Sequence, residues 1–268
     1  MSITPSPEVV ARIRQKHMAD LLTRGKRLDG RGLTDYREIK IERGIIEKAE
    51  GSAMVTIGNT KVLAGVKIEA GDPFPDTPNE GILTVNTELV PLASPTFEPG
   101  PPNENAIELA RVVDRGLRES KAVDLPKLCI TPGKKVFVVF IDIYILNHDG
   151  NLVDASSLAA LVALLNTKMP NYEVTDGELE FKPGYTQLPI QKLPIAVTLV
   201  KINEKLVVDA ALIEEQVMDA KLTITIDQDD KLCAMQKSGL GSFTVDMIKE
   251  AFKLAQEKAK ELREAVVK

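Results

Sequence analysis

Residues 136–166 limit the folds open to this chain more than any other stretch. Residues 136–146 read VFVVFIDIYIL, a long β-branched and aromatic run interrupted by one aspartate. A run of that kind is predicted to be a buried strand. An Asp149-Gly150 turn follows, and then 154–166, DASSLAALVALLN, which is apolar nearly all round. That pattern predicts a helix with no solvent face, with Asp154 or Ser156 as its N-cap. A buried strand leading directly into a buried helix needs further structure on every side, so the chain must build layers of sheet and helix around this pair.

The flanking sequence supplies those layers. Residues 52–57 and 61–68 are β-prone runs around Gly58-Asn59-Thr60, a hairpin signal, and 82–89 predicts a further strand. Strands are also predicted at 195–202, 206–209, 222–227 and 232–236. A long Lys/Glu/Ala-rich helix is predicted over 245–267, and a short one over 8–25, stopped by Gly25. Hairpin, strand and helix describe 52–121, and the same order roughly describes 195–267. This suggests two α+β lobes of mixed sheet with packed helices in one compact unit. Residues 1–30 form an N-terminal helical extension, 31–190 the first lobe and 191–268 the second. Residues 170–192 carry only weak signals.

The chain has 268 residues, 44% of them hydrophobic, so a sizeable core is available. No apolar run approaches the roughly 20 residues of a membrane span, and the N-terminus lacks the apolar core of a secretory signal. Cys129 and Cys233 read as free buried thiols in a reducing compartment, and the cytoplasm is the expected location. The net charge of −5 disfavours gripping a long polyanion alone, and 4% aromatic content with no tryptophan disfavours a base-stacking platform.

One segment runs against that acidity. Residues 104–121, ENAIELARVVDRGLRESK, follow the proline-rich lead-in FEPGPPN and read as an amphipathic helix. Ile107, Ala110, Val113 and Leu117 make its apolar stripe, while Arg111, Arg115 and Arg118 share another face. Three like charges on one face need an anion. Glu108 can answer Arg111, Asp114 can answer Arg118 and Glu119 can answer Arg115 in the weaker orientation, each pair contributing about 0.2–0.5 kcal/mol. Arg111 and Arg115 stay under-compensated. The planar guanidinium binds phosphate oxygens bidentately without reading a base, which makes these two candidate phosphate-backbone ligands. Arg118, and Lys121 beside it, also lie where cations relieve the helix dipole.

Independent chemistry is absent from the pattern. His17 and His148 have no His or Cys neighbour at ligand spacing, so no metal or cofactor is expected. No nucleophile elbow, phosphate-binding loop or dinucleotide fingerprint occurs. Gly239-Leu240-Gly241-Ser242 reads as a loop and N-cap rather than an anion site. Asp209, Glu214, Glu215 and Asp219 cluster between two strands, either solvated or contributing to a site.

Several segments together resemble the RNase PH superfamily: RLDGR (27–31), EGSAMVTIGNTKVLAGV (50–66), the arginine helix, FIDIYILNHDG (140–150), and LVVDA with MDAK (206–221). The likeness spans nearly the whole chain in order. Within that superfamily it is strongest, through FEPGPPNENAIELARVVDRGLRESKA, to the non-catalytic ring subunits of archaeal exosomes. The resemblance implies an RNase PH-like fold and RNA phosphorolysis, in which phosphate attacks the terminal phosphodiester. Similar enzymes hold phosphate with a Gly-Ser/Thr-Arg segment after the Asp-Gly turn and with an Arg pair before the arginine helix. Here Asn151, Leu152 and Val153 follow the turn, Asp154 adds a carboxylate that would oppose phosphate, and Glu104 and Asn105 replace the arginines. Asp219 alone remains, as a vestigial candidate acid.

The resemblance therefore implies a subunit without activity of its own. It would bind RNA through Arg111, Arg115 and Arg118 and help to structure the active site of a catalytic RNase PH-like partner, with heterodimers forming a trimer of dimers under separate RNA-binding cap subunits. The rivals are an independent phosphorolytic exoribonuclease with a rearranged site centred on Asp219, and a purely structural ring subunit.

Overall fold

The computed structural model describes residues 16–175 and 178–267. Two sheets face each other across a central helix. The first contains β1 (Ile39–Arg43), β2 (Gly51–Ile57), β3 (Thr60–Gly71), β4 (Ile82–Leu89), β5 (Cys129–Thr131) and β6 (Lys135–Asn147). Its order is β1-β2-β3-β6-β4, with β5 paired to the start of β6. All neighbours are antiparallel except β4 and β6, which run parallel. Parallel neighbours need a crossover, and it contains helix α2 (Glu104–Glu119). The β2–β3 hairpin closes through Gly58 and Asn59, with Ile57 opposite Thr60.

Helix α3 (Leu152–Leu165) follows β6. It packs on β2 and β3 of the first sheet and on β9 (Ile195–Ile202) of the second. That position between sheets explains why the segment has no polar face. Its N-cap is Asn151, in the left-handed region at φ 54°, so neither Asp154 nor Ser156 caps it. Both are fully buried inside the first turns. The tight Asp149-Gly150 turn delivers the chain to the helix two residues early.

The second sheet runs β10-β9-β11-β12, antiparallel throughout, from β10 (Lys205–Val208), β11 (Ala220–Ile226) and β12 (Leu232–Ser238). After the one-turn helix α4 (Leu212–Glu215), helix α5 (Val245–Val267) packs on β9 and β11. Helix α1, seen over 16–23 and followed by Gly25 at φ 69°, packs Met18 and Leu22 against Val200, Ile202 and Val207. The predicted stretch before residue 16 lies outside the described residues. Strand β9 is thus covered on both faces, which accounts for its continuous apolar sequence.

The order of elements repeats between the halves, but their neighbours do not. After the first hairpin, β4 lies at a sheet edge, whereas β11 lies at the centre of the second sheet. One hydrophobic core runs from the first sheet through α3 to α5. Residues 170–192 include most of a hairpin, β7 (Lys168–Thr175) with β8 (Glu178–Gln187), paired only with itself as a sheet. Its exposed Phe181 and Tyr185 explain the weak periodicity. Cys129 and Cys233 are free and half-buried.

Candidate nucleic-acid interface and the adjoining cleft

Helix α2 starts cleanly because the Asn103 side chain accepts a hydrogen bond from the Ala106 N–H at 3.0 Å. It buries Ala106, Leu109, Val113, Gly116 and Leu117. The buried stripe is rotated from the predicted one, and Ile107 is 48% exposed. Gly116 lies on the buried stripe. A Cβ there would lie 3.3 Å from Thr225 Oγ1, so the glycine lets the helix lie close on the second sheet.

The rotation turns the arginines outward. Arg111, Arg115 and Ile107 line an open groove of about 370 Å³ with Gln236 of β12. Arg111 makes no hydrogen bond or ion pair among the described residues. Glu108, its expected partner, instead accepts a hydrogen bond from the Ser238 hydroxyl. Arg115 donates to Gln236 Oε1 at 3.1 Å and, among the described residues, has no carboxylate partner. Arg118 differs. It pairs with Asp114 at 2.7 Å and donates to the Leu83 carbonyl at 2.8 Å. The Asp114 hydrogen bond raises the guanidinium's pKa, so its charge is already answered. The structure therefore separates three residues that share one helical face: Arg111 and Arg115 project into the groove, whereas Arg118 is a local strut.

The groove continues into a second cavity of about 230 Å³ and shares Glu108, Val112 and Gln236 with it. Asn105, His148, Asn151, Glu215, Lys221 and Ser238 supply its polar lining. His148 stacks on Phe97 with ring centroids 5.4 Å apart, and burial pushes its imidazole pKa down. At the amino end of α3 the Asn151 N–H donates to Glu215 Oε1 at 2.9 Å. A helix amino end is a favourable place for an anion. Here a carboxylate of the chain itself fills it. Burial pushes Glu215's pKa up, partly offset by that N–H and by Lys221.

Asp154 is not the opposing charge in this cavity. It is fully buried, and its Oδ2 accepts from the Tyr36 hydroxyl at 2.6 Å, Asn151 Nδ2 at 2.9 Å and the Thr198 N–H at 3.1 Å. Desolvation raises its pKa to about 6. Asp219 lies outside both cavities. Its carboxylate accepts from the Asn203 N–H at 2.7 Å and its carbonyl from the Gly241 N–H at 2.8 Å. That second bond fixes the Gly239–Gly241 stretch as a loop packed on Asp219.

The RLDGR segment forms a buried clamp. Arg27 pairs with Glu214 and donates to the carbonyls of Val208 and Asp209, both at 2.8 Å. Arg31 and Arg37 converge on the Asp209 carboxylate at 2.9 and 2.8 Å. Burial raises the Asp209 pKa, but the hydrogen bonds and charge of Arg37 outweigh it and hold the carboxyl below its usual range. The acidic cluster read at 209–219 is therefore neither solvated nor a single site. Asp209 and Glu214 are buried structural partners, Glu215 enters the cavity and Asp219 ties a turn. Sequence reading missed Lys221, Gln236 and Ser238 as lining residues. Their alternation on β11 and β12 is visible, but which face meets α2 is not. Among the described residues no His, Cys, Asp and Glu cluster is placed to hold a metal ion, and no helix is long and apolar enough to cross a membrane.

The profile of the 3' exoribonuclease family matches twice, domain 1 over residues 35–170 and domain 2 over 192–258. The chain belongs to the 3' exoribonuclease, or RNase PH, family. Among family members, it is 55% identical over 263 residues to the exosome complex component Rrp42 of Thermococcus kodakarensis, covering 97% of both chains. It is 49% identical over 260 residues to the Rrp42 component of Methanopyrus kandleri, again covering 97% of both. Its fold matches a chain of the Archaeoglobus fulgidus exosome with RNA bound to the active site, with a TM-score of 0.89 and 49% identity over 96% of this chain and 99% of that one. A chain of an archaeal exosome core gives a TM-score of 0.86 at 44% identity, covering 97% and 98%. The RNase PH fold is thus the two-sheet α+β arrangement described above.

Proposed function

We propose that this chain is a non-catalytic ring component of an archaeal exosome that degrades RNA from the 3' end. The observation that carries this reading is the contrast between two adjoining cavities. The groove presents Arg111 and Arg115, which among the described residues pair with neither of its lining acids, Glu104 and Glu108, and this suits a phosphate backbone. The neighbouring cavity, where an oxyanion would need donors, already holds Glu215 on the Asn151 N–H. Phosphorolysis needs a phosphate dianion beside a polyanion, and a fixed carboxylate opposes that dianion by roughly 1–4 kcal/mol at about 4 Å. The chain therefore holds RNA while a catalytic RNase PH-like partner supplies phosphate binding and chemistry.

The relatives are named as exosome components, which supports a ring of heterodimers in a trimer of dimers under RNA-binding cap subunits. Within that ring the chain acts without a cofactor, in the cytoplasm. Residues 1–30, 31–190 and 191–268 act as an extension and two lobes, a division supported by the two family domains matched. Arg118, held by Asp114 and the Leu83 carbonyl, steadies the helix rather than binding RNA, and Asp219 has no catalytic part. In the test, the purified chain is mixed with RNA and phosphate, alone and with the catalytic paralogue. Nucleoside diphosphates form only in the mixture. Processive phosphorolysis by the isolated chain overturns the proposal, and loss of turnover in the complex on Asp219→Ala restores the rival site.

A further inference from the structure

The cavity of about 230 Å³ beside the arginine groove draws its polar groups from two sources. From the second sheet come Lys221 and Thr223 of β11 and, opposite them in register, Ser238 and Gln236 of β12. Side chains alternate along a strand, and Thr225 of the same set meets Gly116 of α2, so all four rise toward the helices. Gln236 and Ser238 accordingly meet Arg115 and Glu108 of α2. From α4 comes Glu215, whose Oε1 accepts the Asn151 N–H.

Lys221 and Glu215 are not an ion pair. Among the described residues the Lys221 ammonium makes no hydrogen bond or ion pair, and Glu215 Oε2 has no donor. They are nonetheless neighbours. Burial is the main influence on the pKa of Glu215 and of His148, and the Lys221 charge lowers both. An unanswered ammonium and a carboxylate oxygen without a donor thus face the same cavity. Leu89, Leu109, Val112 and Leu152 line much of the rest, with the stacked Phe97 and His148 rings.

We propose that this cavity binds the guanine base of a ribonucleotide whose phosphate lies on Arg111 and Arg115 in the adjoining groove. Guanine is neutral, so Glu215 does not repel it as it repels phosphate. Its N1–H and N2 amino group are adjacent donors, which one carboxylate accepts together, and the O6 beside them accepts from Lys221. Each other base puts a lone pair against the carboxylate. Cytosine and adenine carry a ring acceptor next to the amino group, and uracil has a carbonyl on either side of its N3–H. Apolar walls and a ring pair suit the two faces of a base. The low aromatic content of the chain disfavours a platform for a run of bases, not one pocket for one base. The phosphate half rests on the RNA-binding reading above, whereas recognition of the base does not.

Guanosine 5'-monophosphate is titrated into the full chain by calorimetry, beside the inosine, adenosine, cytidine and uridine monophosphates. Saturable binding of the guanine nucleotide is expected at about millimolar concentration or below. The inosine nucleotide lacks only the N2 amino group and should bind about tenfold more weakly, and the other three more weakly still. Glu215→Gln keeps an acceptor for the Asn151 N–H but turns amide donors toward the base. Its preference for guanine over adenine should fall about tenfold or more at unchanged Tm. Arg111→Ala with Arg115→Ala should weaken the guanine nucleotide and leave guanosine, which has no phosphate, unchanged. Absence of binding to the folded wild-type chain overturns the proposal. So does equal affinity for all five nucleotides, or a guanine preference kept by Glu215→Gln. A free nucleotide and an RNA chain share this chemistry, and anisotropy on the assembled ring separates them. An oligoadenylate with one internal guanosine should bind several-fold more tightly than plain oligoadenylate. Equal binding of the two, with the mononucleotide still bound, overturns the RNA source. Failure of the ring to assemble or to bind either oligonucleotide strikes the ring reading alone and leaves recognition of the base standing.

Discussion

Replacing Arg111 and Arg115 together by alanine should weaken RNA binding without weakening the protein. Among the described residues Arg111 has no partner to lose, and Arg115 loses one hydrogen bond to Gln236. Stability should therefore stay within about 0.5 kcal/mol of wild type, as for most exposed sites. RNA binding should change in a way only charge can produce. Single-stranded nucleic acid shows a log–log salt slope of about −0.7 per phosphate neutralised. Losing two such contacts should make the slope shallower by about 1.4 for each copy of the chain that touches the RNA. Both groups are exposed, so each contact contributes at the low end, about 1 kcal/mol, and the pair roughly 30-fold in affinity at moderate salt. The assay is fluorescence anisotropy of labelled RNA on the assembled ring from about 50 to about 200 mM salt. Arg118→Ala is the control. It breaks the Asp114 pair and the Leu83 hydrogen bond, so it should lower stability and hardly move the slope. An unchanged slope for the double variant, with the ring intact, refutes the reasoning.

The other predictions concern the buried charges. Glu214→Ala leaves Arg27, only 3% exposed, with an unpaired charge. It should cost about 3–5 kcal/mol, read by calorimetry as a fall in Tm of about 6–20 °C; a loss below about 1 kcal/mol contradicts the clamp. Asp154 has a folded pKa near 6 against an ordinary 3.8. Its burial penalty is therefore absent below about pH 4 and grows as pH rises to about 6, reaching on the order of 2–3 kcal/mol. Asp154→Asn should flatten that fall in denaturant titrations across the window, and an unaltered pH profile would count against it. Glu215→Ala strips the acceptor from the Asn151 N–H and should cost about 1–3 kcal/mol. Phosphate or sulfate should recover part of that loss in thermal unfolding of the variant but not stabilise the wild type. Equal effects on both would show that the carboxylate does not occupy an anion position.

Much of the fold was legible because hydrophobic period reports burial. Strand β4 and helix α5 lie where the pattern put them, and the apolar 136–166 pair is the strand and helix at the centre of the core. Less was legible where burial is shared with distant residues. The hairpin at 168–187 packs little of its own surface, so its sequence carries no clear period. The N-cap of α3 was misplaced because Asn151 holds a left-handed conformation set by the Asp149-Gly150 turn, not by helix propensity. Asp154, expected to cap the helix and to oppose phosphate, is instead enclosed by Tyr36, Asn151 and Thr198, which come from three separate parts of the chain.

By itself, the sequence determined the layered α+β class, the family, and a helix carrying more arginines than its own acids can answer. Those properties depend on residue type and short-range spacing, which a linear chain displays. Only the tertiary structure decided which arginines are free. Gly116 of α2 lies close against Thr225, Ser238 takes Glu108 away from Arg111, and Asp114 keeps Arg118. Tertiary structure also decided that one acid of the 209–219 cluster, Glu215, enters the cavity beside the groove. Each of these outcomes turns on contacts between residues far apart in the chain, and spacing along the chain says nothing of what lies across a sheet.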